Sequence, residues 1–348
     1  MIRFILSKIY EAIVNNRNRK FQDAPIYSKN NIRTKDKYFK IQYDSKIISV
    51  GNLSAGGTGK TPLTIEIINS YLPKDKTVCV VGRNYKTRST DDLIVHGRGK
   101  SGEFADPIWL GDEMSLIQSK TRANVVAGPK KYRNAFIADE KYHPDVIIID
   151  DGFQHQWIKR DLDIVIIDKV TIEKPYVYPR GKLREPLSSL LRADIILTSQ
   201  GLEITKIYPY LKRDPLLCGF EIIQEKAYSL FDVNQKIEDF NTGLIPVVGI
   251  ANPQRFLQSL DKLGVNYDKN NIKIFDDHHR YRYNDIVSIC KLAQKQSSSI
   301  ITTEKDAVKL AQNKGIFDDY NVSIFVLPIR LKITKNDDQF FEKINSIF

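Results

Sequence analysis

Apolar residues along this chain alternate between short continuous runs and helically spaced stripes, an order that predicts parallel strands joined by crossover helices. Ile47, Ile48 and Val50 form the first run. Leu63, Ile67, Ile68 and Leu72 follow at helical spacing, and Thr77–Gly82 returns to a strand. Further runs at Asn124–Ala127, Asp145–Asp150, Leu162–Asp168 and Ala193–Thr198 extend the series, with a helix expected from Met114, Leu116 and Ile117 between the early ones. Strands that read as unbroken apolar runs are those buried on both faces. After Asp214-Pro215 the composition changes, and a second strand–helix series begins at Leu244: residues 245–250, a helix around Phe256 to Leu263, then residues 272–275, 298–303 and 322–327. The expected organisation is an N-terminal helix over residues 1–24, a first α/β domain over 25–214, and a smaller α/β domain over 215–348.

The N-terminal segment has its own pattern. Ile2, Ile5, Leu6, Ile9, Ile13 and Val14 share a helical stripe, while residues 1–40 hold ten Lys/Arg against three acids, which is +7 of the chain's net +11. A basic amphipathic helix of this kind either lies in a membrane interface, with Arg17, Arg19 and Lys20 near anionic headgroups, or packs on its own domain. No apolar run approaches the roughly 20 residues of a membrane span. Cys79, Cys218 and Cys290 are widely separated and without His neighbours, so neither a disulfide framework nor a zinc site is indicated, and a reducing cytosol fits.

The chemistry concentrates at strand ends. Behind the first strand comes Ser54-Ala55-Gly56-Gly57-Thr58-Gly59-Lys60-Thr61, a glycine-rich loop whose backbone N–H groups can curl round a phosphate at a helix N-terminus. Lys60 would reach the β- and γ-phosphates of a nucleotide and Thr61 would ligate Mg²⁺. Ser54 stands where the first glycine of the general pattern usually falls. The run 145–150 ends in Asp150-Asp151, the place where a nucleotide's Mg²⁺ is held beside such a loop, and Gly152-Phe153-Gln154-His155 follow. Asp112 and Glu113 open a helix, where acids are ordinarily caps or dipole partners. Residues 86–107 read as a polar loop. Arg180, Lys182 and Arg184 crowd a proline-rich loop that is either a phosphate contact or a solvated basic segment. A cleft between the domains would have Asp277, His278, Glu304, Lys305 and Asp306 on one wall.

Taken in order, SVGNLSAGGTGKTP, GDE, DDGFQH, LREP, GIANPQRF, DHH and TTEKDA resemble the tetraacyldisaccharide 4′-kinase family, the lipid A 4′-kinases of Gram-negative bacteria, from about residue 46 to 310. That family shares a Ser or Thr at the Ser54 position. This chain departs from it at Asn84, where the family has Gly, and at Met114, where it has Pro. The resemblance implies an α/β fold with a P-loop NTPase-type parallel sheet, a second, smaller α/β domain that closes over the nucleotide site, and a membrane-docking N-terminal helix. It implies an ATP- and Mg²⁺-dependent enzyme that phosphorylates the 4′-hydroxyl of a tetraacylated glucosamine disaccharide 1-phosphate at the cytoplasmic face of the inner membrane. It makes Asp112 and an Asp of the acidic strand end, Asp151, catalytic together with Lys60 and His278. The phosphate loop, Ser54 and Gly56 to Thr61, takes the nucleotide. Thr61, Asp150 and Asp151 hold metal, and Asn52, Arg83, Glu113, Gln154, His155, Arg180 and Arg184 contact substrate. The alternative is a membrane-associated ATPase switch of the partitioning type. Its signature lysine before the paired glycines is replaced here by Ala55.

Overall fold

The computed structural model describes residues 1–31, 36–84, 94–96, 105–212, 214–236 and 243–348. The chain opens with helix α1 (Ile2–Gln22) and a small parallel pair, β1 (Ile26–Ser28) and β2 (Lys40–Gln42). Strand β3 (Lys46–Asn52) then leads into helix α2 (Lys60–Glu66). There follow β4 (Val78–Gly82), β5 (Ile94–His96), α3 (Pro107–Leu110), α4 (Asp112–Lys120), β6 (Asn124–Ala127), α5 (Lys131–Tyr142) and β7 (Val146–Asp150). Next come β8 (Leu162–Ile167), α6 (Lys169–Glu173), β9 (Ile195–Ser199) and β10 (Leu216–Gln224). Most of the expected 86–107 loop lies outside the described residues.

Strands β8, β3, β7, β4 and β6 run parallel side by side, with β9 and β10 continuing beyond β8 and antiparallel β5 at the far edge. Every residue of β4, β7 and β8 is buried, as the unbroken apolar runs require when helices cover both faces. Close packing leaves no room for a side chain at Gly82, where a Cβ would lie 2.3 Å from the Met114 sulfur. Met114 thus sits in α4 as a core residue, not as a loop-stiffening proline.

The second domain contains β11 (Tyr228–Ser229), β12 (Asp232–Lys236), β13 (Leu244–Val248), α7 (Pro253–Lys262), β14 (Lys273–Ile274), α8 (Tyr283–Lys295), β15 (Ser299–Thr303), α9 (Glu304–Leu310), α10 (Lys314–Asp319) and β16 (Ile324–Leu327). Its sheet has the order β12-β11-β16-β15-β13-β14 and its own apolar core around Ile289, Ile300 and Phe317.

The boundary expected after Asp214 is corrected by the strand pairing. β10 is parallel to β9, and the chain returns after the second domain as β17 (Ile329–Lys335), antiparallel to β10, followed by α11 (Asp337–Asn345). Phe220, Leu331, Ile333, Phe340 and Ile344 belong to the first domain's core. The second domain is therefore an insertion between Gln224 and Ile329. Pairing over more than a hundred residues of separation wins because β10 alone would leave an apolar edge uncovered.

Helix α1 packs by Ser7, Val14 and Phe21, spaced seven apart, with the Phe21 ring edge-on to Tyr38 and Trp157. Its larger aliphatic residues face outward: Ile2, Ile5, Leu6, Ile9 and Ile13 are each about half exposed or more.

Candidate active site

The glycine loop spans the gap between β3 and α2. Gly56 and Gly59 take positive φ angles of 125° and 101°, and a Cβ at Gly56 or Gly57 would meet nothing within 4 Å among the described residues, so the loop offers an open, backbone-lined concavity. It is braced from behind. Ala55 donates its N–H to the Lys182 carbonyl, Arg184 donates to the Leu53 carbonyl, and the Ser54 hydroxyl donates to Asp168 at 2.8 Å. The side chain at the anomalous loop position is thus a strut toward α6. The Thr58 hydroxyl is buried without a hydrogen-bond partner among the described residues, and Thr61 is buried on the first turn of α2.

Lys60 Nζ stands 3.2 Å from Asn52 Oδ1 and 3.6 Å from Asp151 Oδ1. Asp151 follows β7 with φ 51°, a left-handed angle that an Asp adopts more readily than most residues. Its carboxylate receives both arms of the Arg184 guanidinium at 2.8 and 2.7 Å, and Arg184 also reaches Asn52. Burial alone would raise the Asp151 carboxyl, but the Arg184 hydrogen bonds and the charges of Lys131 and Lys60 hold it far below the usual range. Asp150 differs: burial and the charge of Glu113 push it up to about 6. Two adjacent carboxylates are driven apart by their surroundings. The Thr64 hydroxyl lies 3.3 Å from Asp150.

Lys131, a residue the sequence does not mark out, opens α5 and is buried with its Nζ on the carbonyls of Asp150 and Asp151 at 2.5 and 2.7 Å. Burial lowers it to about 8. The only legible signal was a lysine just after a strand end, common on any protein surface. His155 is lowered to about 3 by burial and by the charges of Lys131 and Arg83, so it is neutral at pH 7. Gln154 donates to the Asn52 carbonyl at 2.9 Å.

The second domain meets this floor from above. His278, at φ 59°, places Nδ1 3.1 Å from Asp112 Oδ2, and Lys309 lies 3.6 Å from the same oxygen. Burial would raise the Asp112 carboxyl; the His278 hydrogen bond and the Lys309 charge outweigh it and lower it below the ordinary value. Beside it, Lys305 pairs with Glu113 at 2.6 Å, which lowers Glu113 and raises Lys305 against its burial. Glu304 and Asp306, expected on the cleft wall, serve other purposes. Glu304 takes the Ile329 N–H and the Lys120 ammonium; Asp306, fully buried, accepts from Gly249, Thr303 and Tyr281.

Asn52, Lys60, Asp151, Gln154 and Arg184 thus form one connected group, with Asp112, Glu113 and His278 closing it. Arg83 is exposed at the end of β4. Arg180 stands apart, exposed, with its guanidinium 3.5 Å from the centre of the Tyr176 ring and 5.1 Å from that of Phe4 on α1.

The donors present fit Mg²⁺: hard oxygens from Thr61 and Asp150, with an Asp150 carboxyl that burial and the charge of Glu113 raise and that a cation would ionise. Asp151 is already neutralised by Arg184 and Lys60.

Comparison with known proteins adds to this geometry. A family model described as tetraacyldisaccharide-1-P 4′-kinase (LpxK) matches residues 2–348. The chain is 32% identical over 321 residues to the tetraacyldisaccharide 4′-kinase of Halothermothrix orenii, covering 84% of this chain and 81% of that one. It is 33% identical over 324 residues to the protein of that name from Aquifex aeolicus, covering 89% and 90%. A crystal structure of LpxK from Aquifex aeolicus, described as an "apo" form in complex with ATP, matches with a TM-score of 0.76 at 26% identity, covering 99% of this chain and 98% of that chain.

Proposed function

This chain belongs to the tetraacyldisaccharide-1-P 4′-kinase family, and we propose that it transfers the γ-phosphoryl of ATP to the 4′-hydroxyl of a tetraacylated glucosamine disaccharide 1-phosphate, with Asp112 as the base. Family membership sets aside the partitioning-ATPase alternative. The observation that carries the mechanism is the Asp112–His278 contact across the domains beside the phosphate loop. Among the described residues His278 and Lys309 both bear on Oδ2 of Asp112, so Oδ1 is the oxygen available to take the hydroxyl proton while the acceptor oxygen forms its bond to phosphorus and ADP departs. With Nδ1 protonated, His278 donates to the carboxylate and fixes its orientation. A depressed carboxyl is fully ionised at neutral pH, as a base must be.

Lys60, held at the mouth of the loop, supplies positive charge to the β- and γ-phosphates, and the loop N–H groups with the α2 N-terminus add to it. Thr61 and Asp150 are the residues to hold Mg²⁺, which when bound neutralises charge on the transferring group. Arg184 fixes Asp151 and Asn52 around Lys60.

The acceptor's acyl chains are apolar, and the exposed stripe of α1 with Arg3, Lys8 and Arg19 suits docking to an anionic leaflet, which supports a peripheral enzyme at the cytoplasmic face of the inner membrane. Exposed Arg180 and Tyr178 lie on the α1 side, where they would meet headgroups or acceptor. No helix among the described residues is long and apolar enough to cross a membrane.

The test is direct: full-length protein, γ-labelled ATP, Mg²⁺ and detergent-dispersed disaccharide. Label in the lipid, dependent on acceptor, is expected; acceptor-independent phosphate release with unlabelled lipid would overturn the reading.

A further inference from the structure

Helix α1 has a second face, and it leads into the active site. Opposite the outward aliphatic stripe, Ser7 donates to the Val177 carbonyl at 2.9 Å and the Tyr10 hydroxyl donates to the main-chain carbonyl of Arg184 at 3.0 Å. One turn or two further on, Arg17 pairs with Glu185, whose carboxylate is wholly buried and is shared with Arg192 at 2.7 Å. Asn18 approaches Glu185 and Ser189 and accepts from Gln156 at 2.7 Å.

Apart from Val177, these partners of α1 fall in two segments. One, residues 184–189, begins with Arg184. The other, residues 151–156, begins with Asp151. The bidentate Arg184–Asp151 pair is the bridge between them, and α1 grips both: Tyr10 and Arg17 on the arginine side, Asn18 on the aspartate side. A helix serving only as an anchor would need packing, not a buried carboxylate whose charge it helps neutralise. Arg17, expected near lipid headgroups, is turned inward.

From this convergence we infer that Tyr10 and Arg17 are positioning residues for phosphoryl transfer, acting through Arg184, so that α1 is part of the site's frame as well as its surface contact. The inference rests on the kinase reading. Arg184 aims Asp151 and Asn52 at Lys60, and a displacement of such groups by about 1 Å costs up to roughly 100-fold in rate.

The experiment uses the full chain with detergent-dispersed acceptor and saturating ATP, so that recruitment to a bilayer does not limit the rate. Arg17→Met should lower kcat roughly 10- to 100-fold, with KM for ATP little changed and with unaltered partitioning onto phosphatidylethanolamine–phosphatidylglycerol vesicles. Arg17→Lys should recover much of the loss. In an Arg184→Met background, Arg17→Met should cost less than about threefold more, because residues acting through one another are not additive. Tyr10→Phe removes one hydroxyl and should lower kcat by several-fold; it decides the matter if Arg17→Met does not fold. Wild-type kcat in Tyr10→Phe and in a folded Arg17→Met, or a full multiplicative loss in the Arg184→Met background, would overturn the inference. Failure of the wild-type chain to label the lipid would instead overturn the kinase reading.

Discussion

Removing the His278 ring should expose how much of catalysis depends on the second domain. The perturbation has to respect the backbone: His278 sits at φ 59°, so alanine would mix lost chemistry with strain. His278→Gly removes the donor and keeps the angle. His278→Asn keeps the angle too, and its amide nitrogen can stand close to where Nδ1 lies, 3.1 Å from Asp112 Oδ2. A hydrogen bond to a charged, buried group contributes about 1.5–3 kcal/mol, which at about 1.4 kcal/mol per decade is roughly 10- to 100-fold in kcat. The effect has a pH signature. His278 helps hold the Asp112 carboxyl below its ordinary value against burial, so in the glycine variant that carboxyl rises and the acid limb of kcat moves to higher pH. Initial rates at saturating ATP and acceptor, across acid to neutral pH, measure both. The asparagine variant should recover most of the loss if the donor at Nδ1 is what matters. Lys305–Glu113 still joins the domains, so closure is retained. A glycine variant with wild-type kcat and an unmoved acid limb refutes the argument, whereas loss confined to KM for ATP would make His278 a nucleotide contact.

Three other variants bear on separate parts. Lys60→Ala should reduce kcat on the order of 10²–10³ with an unchanged melting temperature, since the contacts of Lys60 to Asn52, Gly56 and Asp151 are loose; turnover close to wild type would remove the phosphate-loop reading. Ile5→Glu with Ile9→Glu, at side chains 51% and 52% exposed, should leave the melting temperature in place and move the protein from vesicle pellet to supernatant, with roughly 1 kcal/mol of apolar transfer lost per site. Asp139→Asn leaves the buried Lys29 ammonium, among the described residues, with Asp44 and Glu140 alone, and should destabilise by about 3 kcal/mol at pH 7. Because Asp139 is held below its ordinary value, its contribution is complete above the unfolded value near pH 4 and fades as pH falls through the folded one. Melting curves of the two proteins should therefore converge in acid; a constant gap would contradict the pairing.

Local features were legible in the sequence where the physics is local. The glycine loop, the acidic strand end and the buried parallel strands are each written in consecutive residues, and their structure follows from backbone freedom and apolar continuity at those positions. What could not be read depends on pairing at a distance. Nothing in Ile329–Lys335, whose side chains alternate between buried and exposed, says that it returns to β10. Arg180 and Arg184 are equivalent as text, four residues apart in one basic loop; only the turn around Gly181 sends Arg184 to Asp151 and leaves Arg180 against Tyr176. Acids at 112 and 113 look like helix-dipole partners until the second domain brings His278 and Lys305 onto them. The N-terminal stripe could equally have been core, because hydrophobicity does not say on which side the protein lies.

The insertion of the second domain between β10 and β17 sets an order of events during synthesis. When the ribosome has finished residue 327, the whole second domain exists, while the phosphate-loop sheet still lacks its edge strand and the helix that caps it. Leu331, Ile333, Phe340 and Ile344 are the missing pieces of the first core. The later, smaller unit can fold first, and the earlier, catalytic one closes only with the last twenty residues. Chains truncated after Leu327 should accordingly yield a protease-resistant C-terminal fragment and a digestible N-terminal one; equal resistance of both would mean that the parallel strands hold together without their final edge.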